Sequence, residues 1–134
     1  MASFVPVVMA MTGNLGSQTA MIVTRGFAIG KIDTRNLSKT FVREISVGLI
    51  MSFSAGISVG LFAQLWLGES MLGLAVGTAM ICSMTLASFV GVAAPALFKK
   101  IGIDPAIAAG PLVTTGCDLL GVLIYLCVAI AFLT

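Results

Sequence analysis

Histidine is absent from this sequence and charged side chains are scarce. Seven Lys or Arg and five Asp or Glu make up 9% of the chain, against about 25% in an average soluble domain. Without histidine, a His-ligated zinc or haem site is excluded, and so few charges exclude a soluble enzyme and a disordered tail. The net charge of +2 is too small to indicate a nucleic-acid partner. We therefore expect neither an enzyme nor a nucleic-acid-binding protein.

Continuous apolar sequence is what the chain has in abundance. Hydrophobic residues are 59% of the total, and a spanning helix needs about 20 such residues in a row. Because the apolar runs are continuous rather than alternating, they indicate helices and not a membrane barrel. The sequence predicts an all-α integral membrane protein, a single transmembrane domain over residues 1–134 with no soluble regulatory domain in it. Four spans are predicted, at approximately residues 2–24, 45–67, 71–98 and 106–134.

The charges lie between the apolar runs. All seven cations fall in the first and third connections, so the positive-inside rule places these basic loops in the cytoplasm and both termini outside. We expect a multi-pass protein of the plasma (inner) membrane, with Trp66 at its outer interface. The first 24 residues contain no cation and do not resemble a signal peptide. We therefore expect that a preceding helix is missing from the chain.

Small residues indicate where helices meet. Gly56 and Gly60 in span two, and Gly73 and Gly77 in span three, have the GxxxG spacing that lets helix backbones approach closely in lipid. This pattern predicts helix association and says nothing about activity. The three cysteines lie in apolar spans and are interpreted as small buried hydrophobes, since three thiols give no disulfide framework.

Span one carries a polar cluster from Gly13 to Thr19. Asn14 and Gln18 are four residues apart and share one helix face. Amides and hydroxyls at this depth need partners, because hydrocarbon offers none. Two interpretations stay open: hydrogen bonds that hold helices together, or the lining of a pore. Gly13 and Gly16 are expected to loosen the helix and to expose its carbonyls to a cavity.

Span four carries one acidic residue deep in an apolar run, Asp118. It follows Ala106 by 12 residues, about 18 Å along a helix, and Thr114 and Gly121 share its face. A carboxylate near the bilayer centre costs about 2.5 kcal/mol or more, and no cation lies within the four spans to pair with it, Arg25 following directly after span one. Three outcomes stay open: a protonated carboxyl bonded to Thr114, a carboxylate in a water-filled cavity, or a carboxylate that binds a mobile cation.

The polar groups of spans one and four are all oxygen donors of the kind that hard cations prefer. Carboxylate, hydroxyl and amide oxygens suit a hydrated Mg²⁺, whereas soft metals prefer Cys or His. One acid per chain is little for a divalent ion, and four short spans are too few to enclose a pore alone. A two-fold homodimer with span four on its axis brings two Asp118 carboxylates together and sets −2 against +2.

At these residues the sequence resembles the MgtE family of magnesium channels and its eukaryotic solute-carrier relatives. The resemblance is carried by Pro6…Gly13-Asn14-Leu15-Gly16-Ser17-Gln18 followed by Arg25, by Arg43-Glu44, and by Asp104-Pro105-Ala106…Gly110-Pro111…Thr114-Thr115…Asp118…Gly121…Tyr125. It implies a homodimer whose central pore is lined by the second and fifth helices of a five-helix domain, here spans one and four. It also implies that the family's first helix, its cytoplasmic N domain and its paired CBS domains, which sense magnesium, are missing from this chain.

The resemblance further implies roles for individual residues. The pore aspartate of the family corresponds to Asp118, and the ion site continues with Asn14 and then Thr114. Four more residues are expected to line the pore: Gly13, Gln18, Thr115 and Gly121. No catalytic residue and no cofactor other than the transported ion are implied.

Passive permeation of Mg²⁺ through a dimeric pore is the resulting hypothesis, with Mn²⁺, Co²⁺ or Ca²⁺ as other possible ions. The partners are a second copy of the chain, the lipid bilayer, the divalent cation, and regulatory cytoplasmic domains that lie outside this chain. Two alternatives stay open. The first is a proton- or sodium-coupled cation carrier that also uses Asp118, and the second is a non-transporting membrane subunit.

Overall fold

Four apolar runs form four long helices in the computed structural model, which describes residues 2–134. These helices are α1 (Val5–Ala28), α2 (Leu37–Leu67), α3 (Ser70–Lys100) and α4 (Val113–Leu133). Short 3-10 turns lie at Ala2–Phe4 and Pro105–Ile107, and a π-helical turn lies at Ala108–Leu112. Within residues 2–134 no strand occurs, so the all-helical prediction is confirmed.

Helix α2 is longer than the sequence predicted. It begins at Leu37 rather than near residue 45, because its first two turns are polar and basic and give no hydropathy signal. Its 31 residues span about 46 Å at about 1.5 Å per residue, whereas the hydrocarbon core of a bilayer is about 30 Å thick. The amino-terminal end of α2 therefore projects well beyond the apolar layer. The helix ends at Gly68, whose φ of 72° requires glycine.

Helix α3 lies at the centre of the bundle and packs against α1, α2 and α4, while α2 packs almost only against α3. A Cβ built on Gly60 would lie 2.9 Å from the Gly73 carbonyl oxygen and 3.2 Å from the Gly77 Cα. Only glycine permits an approach this close, so the predicted packing of the two GxxxG motifs is observed. On the α3-facing side of α2 the buried residues are nearly all small: Glu44, Gly48, Ser52, Gly56, Gly60 and Ala63.

Three of the four helices are long and apolar enough to cross a membrane, namely α2, α3 and the segment Ala109–Phe132. Helix α1 has 24 residues, which is a sufficient length, but its polar cluster lowers its hydropathy. It nevertheless contributes some of the most buried side chains in the bundle, including Val8 and Val23, both 0% exposed. Packing against α3 and α4 thus replaces contact with lipid along one side of α1.

The fourth helix starts with an irregular segment. Gly110 has non-helical backbone angles (φ −100°, ψ −142°) inside the π-helical turn, and regular α4 begins only at Val113. The sequence placed a weak point at Gly110-Pro111, inside the span predicted from about residue 106, and the structure has its break at Gly110. Helix α3, by contrast, continues through Pro95 to Lys100.

Candidate functional site

The carboxylate of Asp118 lies against the backbone of α1. Its Oδ1 occupies the place where a Cβ on Gly13 would be, and its Cγ is 3.2 Å from that position. Gly13 is buried and Asp118 is half-buried. Helix α1 runs without interruption from Val5 to Ala28, so the expectation that Gly13 and Gly16 loosen it is wrong. Gly13 instead provides the space that the carboxylate of α4 occupies.

Gly16 also makes room for a side chain of α4. A Cβ there would collide with Cys117 Sγ. Cys117 is 1% exposed and points into the α1–α4 contact beside α3, away from the carboxylate of its neighbour Asp118. Its thiol therefore acts as a packing group, as the sequence indicated, whereas Cys82 and Cys127 are exposed, so the prediction that all three cysteines are buried is wrong.

A hydrogen bond between two hydroxyls joins the helices one turn above Asp118. Ser17 Oγ and Thr114 Oγ1 are 2.5 Å apart. Either hydroxyl can be the donor in this bond, and Thr114 Oγ1 also lies 3.5 Å from the Gly110 carbonyl oxygen, to which it can donate. The sequence placed Thr114 on the Asp118 face but did not single out Ser17. Its spacing of four residues from Gly13, on a helix, was the available signal.

Gly121 lies one turn below Asp118, and it is buried within a single chain. A Cβ on it would come within 3.0 Å of Thr12 Cγ2. Its carbonyl oxygen accepts a hydrogen bond of 3.1 Å from Ser83 Oγ of α3. These contacts hold α4 against α1 and α3, and the place of Gly121 in a pore lining stays a prediction.

Three of the predicted polar residues point away from the bundle. Asn14 and Gln18 on α1 and Thr115 on α4 are exposed in the single chain, whereas Asp118 is half-buried. Exposed amides are costly in hydrocarbon. The surface formed by Asn14, Gln18, Thr115 and the open side of Asp118, called the polar face below, therefore requires water or another protein surface.

The backbone before α4 adds a further group of oxygen atoms. Because Gly110 leaves the helical conformation, carbonyls near it lose their regular partners inside the helix. Thr24 Oγ1 donates to the Pro105 carbonyl at 3.3 Å, which ties the carboxyl end of α1 to this segment. Carbonyls and hydroxyls of this kind are suitable ligands for hard cations or for their bound waters.

No cluster of three or more Asp, Glu, Cys or His side chains that could hold a metal is found in residues 2–134. The polar face accordingly offers one carboxylate, several neutral oxygens and no cationic side chain at the level of Asp118. One chain alone supplies too few anionic ligands for a dehydrated divalent ion, whereas Mg²⁺ that keeps most of its waters needs only one or two carboxylates.

Comparison with known proteins gives consistent relatives. Residues 5–128 match the MgtE family, described as a divalent cation transporter. The chain is 31% identical over 133 residues to the magnesium transporter MgtE of Bacillus subtilis, covering 99% of this chain and 30% of that protein. For the magnesium transporters MgtE of Enterococcus faecalis and Thermus thermophilus the identities are 32% and 35%, covering 99% and 96% of this chain and 29% and 28% of theirs. The chain thus spans less than a third of the length of these relatives, which are transporters and not enzymes.

Proposed function

This chain belongs to the MgtE family of divalent cation transporters, and on that premise we propose that it conducts Mg²⁺ passively across the membrane. The observation that carries the proposal is the placement of Asp118. Its carboxylate is held against the Gly13 backbone on a face that also presents amide and hydroxyl oxygens. A spanning protein has little other reason to keep a carboxylate among neutral oxygens at this depth.

A homodimer completes the site. The polar face is uncovered in a single chain, and a two-fold axis beside α4 would cover it with an identical face. Two Asp118 carboxylates, one from each chain, then bind one divalent ion, and Asn14 and Thr114 orient the water molecules bound to it. The remaining lining of the passage comes from Gly13, Gln18, Thr115 and Gly121. The ion passes largely hydrated, so that its desolvation cost is low.

In this arrangement α1 also crosses the membrane, in addition to the three helices that are apolar enough by composition. Its polar residues turn to the passage and its apolar residues, such as Val8 and Val23, pack inside the bundle. Residues 1–134 then act as one transmembrane pore domain.

The basic ends of the helices face the cytoplasm, and both termini lie on the outer side of the plasma membrane. Arg25, Lys99 and Lys100 end α1 and α3 on one side, and exposed Trp66 lies at the opposite end of α2. The inside-negative potential then drives entry with about 4.6 kcal/mol per 100 mV for a divalent ion. No energy source other than the electrochemical gradient is needed.

Mg²⁺ flux into liposomes that contain the protein tests the proposal. Asp118→Asn removes the charge and keeps the shape, and we expect at least a tenfold lower flux. Glu69→Gln is the matched control, because Glu69 is exposed at the α2–α3 turn, and its flux should stay within about twofold of wild type. Inhibition of Mg²⁺ flux by Mn²⁺, Co²⁺ and Ca²⁺ in the same assay ranks how strongly these ions compete for the site. Equal flux in the Asp118 and Glu69 variants would end the assignment of Asp118 to the pore.

A cation carrier coupled to protons or sodium is the second candidate, and the break at Gly110 favours it. Interrupted helices that expose carbonyls near a substrate site are typical of secondary transporters. A coupled carrier predicts Mg²⁺ flux that follows an imposed pH or Na⁺ gradient, whereas a passive pore predicts flux that depends on the Mg²⁺ gradient and the voltage alone. If the wild-type protein gives no Mg²⁺ flux into liposomes, the role of a non-transporting subunit becomes the better interpretation.

A further inference from the structure

A pocket of about 470 Å³ opens at the basic end of the bundle, far along the chain from Asp118. Three separate segments supply its cationic side chains: Arg25 comes from the last turn of α1, Lys31 from the connection, and Arg43 from α2. The connection is folded onto α1, because the Ile32 amide donates to the Gly26 carbonyl at 3.1 Å. The side chain of Ile32 also fills the place of a Cβ on Gly26. The pocket is therefore a built feature and not a gap beside a free loop.

The charges around this pocket are unequal. Glu44 is the one acidic residue that lines it, and its side chain is only 6% exposed. Glu44 Oε1 lies 3.6 Å from Arg43 Nε, whose side chain is 77% exposed. One carboxylate against three cations leaves an excess of positive charge, and the Thr40 hydroxyl adds a hydrogen-bond donor. Such a lining favours an anion with several acceptor oxygens.

The other walls of the pocket are apolar. They come from the isoleucines Ile22, Ile29 and Ile32. A free inorganic ion does not pack against such apolar walls, whereas the glycerol and upper acyl groups of a lipid do. The pocket also lies at a suitable height, because α2 is about 16 Å longer than the apolar layer is thick and Thr40–Glu44 occupy its projecting end.

We propose that this pocket binds a phosphate group, with the guanidinium groups of Arg25 and Arg43, the Lys31 ammonium and the Thr40 hydroxyl as donors. Guanidinium groups match phosphate oxygens in pairs, and the ammonium adds a point charge. The phosphate is either the headgroup of an anionic phospholipid or free inorganic phosphate. The pocket shares no lining residue with the proposed ion site, and its test does not depend on Mg²⁺ flux.

Binding of phosphatidylglycerol to the detergent-solubilised protein, followed by native mass spectrometry, is the first arm of the test. Arg43→Gln and Arg25→Gln are each expected to weaken binding by about tenfold, the scale of a lost charge-assisted contact. Arg35→Gln and Lys100→Gln are the controls, because these exposed side chains remove the same charge from the same end without lining the pocket. Their binding should stay within about twofold of wild type.

The controls separate a pocket from diffuse attraction. Lipid binding to a diffuse polybasic surface would weaken by a similar factor for every Lys or Arg that is removed. Equal losses of binding in the pocket and control variants would therefore overturn the proposal. All four side chains are exposed, and a helical circular dichroism spectrum checks that each variant is folded.

Inorganic phosphate as a competitor is the second arm and distinguishes the two sources. Displacement of the lipid by millimolar phosphate identifies free phosphate as a ligand, and persistence of the lipid identifies the headgroup. Glu44→Gln provides a test of opposite sign, since removal of the carboxylate should tighten binding of either ligand several-fold. An unchanged affinity in Glu44→Gln, or no saturable binding of either ligand to wild type, would refute the site.

Discussion

The contact between Gly13 and Asp118 gives a prediction that can be worked through in numbers. A Cβ on Gly13 would overlap Asp118 Oδ1 and would lie 3.5 Å from Thr114 Cγ2. In Gly13→Ala the carboxylate must therefore move by about 1 Å to restore an ordinary contact. The methyl group costs about 1–3 kcal/mol through overpacking, and the preference of helices for Ala over Gly returns about 0.5–1 kcal/mol. The variant should remain folded with a displaced carboxylate.

The displacement sets the size of the effect on transport. For a hydrated divalent ion about 4 Å from the carboxylate, a sideways displacement that lengthens this distance to about 5 Å weakens the attraction by about 1.7 kcal/mol at an effective dielectric constant of 20. That difference corresponds to slightly more than a tenfold change in binding. We therefore expect Gly13→Ala to lower Mg²⁺ flux into liposomes by about tenfold, although every oxygen ligand is still present.

Gly116→Ala is the matched control for this prediction. It adds the same methyl group two residues before Asp118 on α4, where a Cβ would meet nothing within 4 Å. Its flux should stay within about twofold of wild type, and its stability should rise by up to about 1 kcal/mol. Wild-type flux in Gly13→Ala, or an equal loss in Gly116→Ala, would refute the reasoning that the position of the carboxylate controls permeation.

Three further substitutions test the packing around the site, each measured as the free energy of unfolding in detergent. Gly60→Ala should cost about 1–3 kcal/mol, because its Cβ meets backbone atoms of α3 that cannot rotate away; an unchanged stability would show that the helices can separate freely. Ser83→Ala removes the bond to the Gly121 carbonyl and should cost about 0.6 kcal/mol, with a cost above about 2 kcal/mol contradicting that assignment. Ser17→Ala removes the bond to Thr114 and should cost a similar amount, and a more stable variant would show that the two hydroxyls are not paired.

Hydropathy predicted where the helices lie but not where they end. The break at Gly110-Pro111 followed from residue type, since both residues disfavour regular helix. The early start of α2 at Leu37 could not follow from the same signal, because a helix that continues into the aqueous layer is as polar as a loop. Spacing and apolarity describe the buried part of a membrane helix, and its projecting turns depend on local contacts.

The candidate site was predictable in its chemistry and less so in its geometry. Asp118 and Thr114 share a face by spacing alone, and an acidic residue in an apolar run is conspicuous in any sequence. Two contacts depend on how α1 is rotated against α4: the hydrogen bond between Ser17 and Thr114 and the contact of the Asp118 carboxylate with Gly13. Residue spacing within one helix does not give its rotation against another, so Gly13 was expected to loosen α1 rather than to receive the carboxylate.

The glycine contact between α2 and α3 divides the subunit into a stiff half and an adjustable half. Between Gly56 and Gly77 no side chain separates the two backbones, so this pair has no rotamers through which to accommodate a shift. The α1–α4 contact consists instead of side chains, such as Ser17 and Cys117, that can each take up another torsion angle. Any rearrangement that widens or narrows the polar face should therefore occur at the α1–α4 contact, with α2 and α3 moving together as one unit.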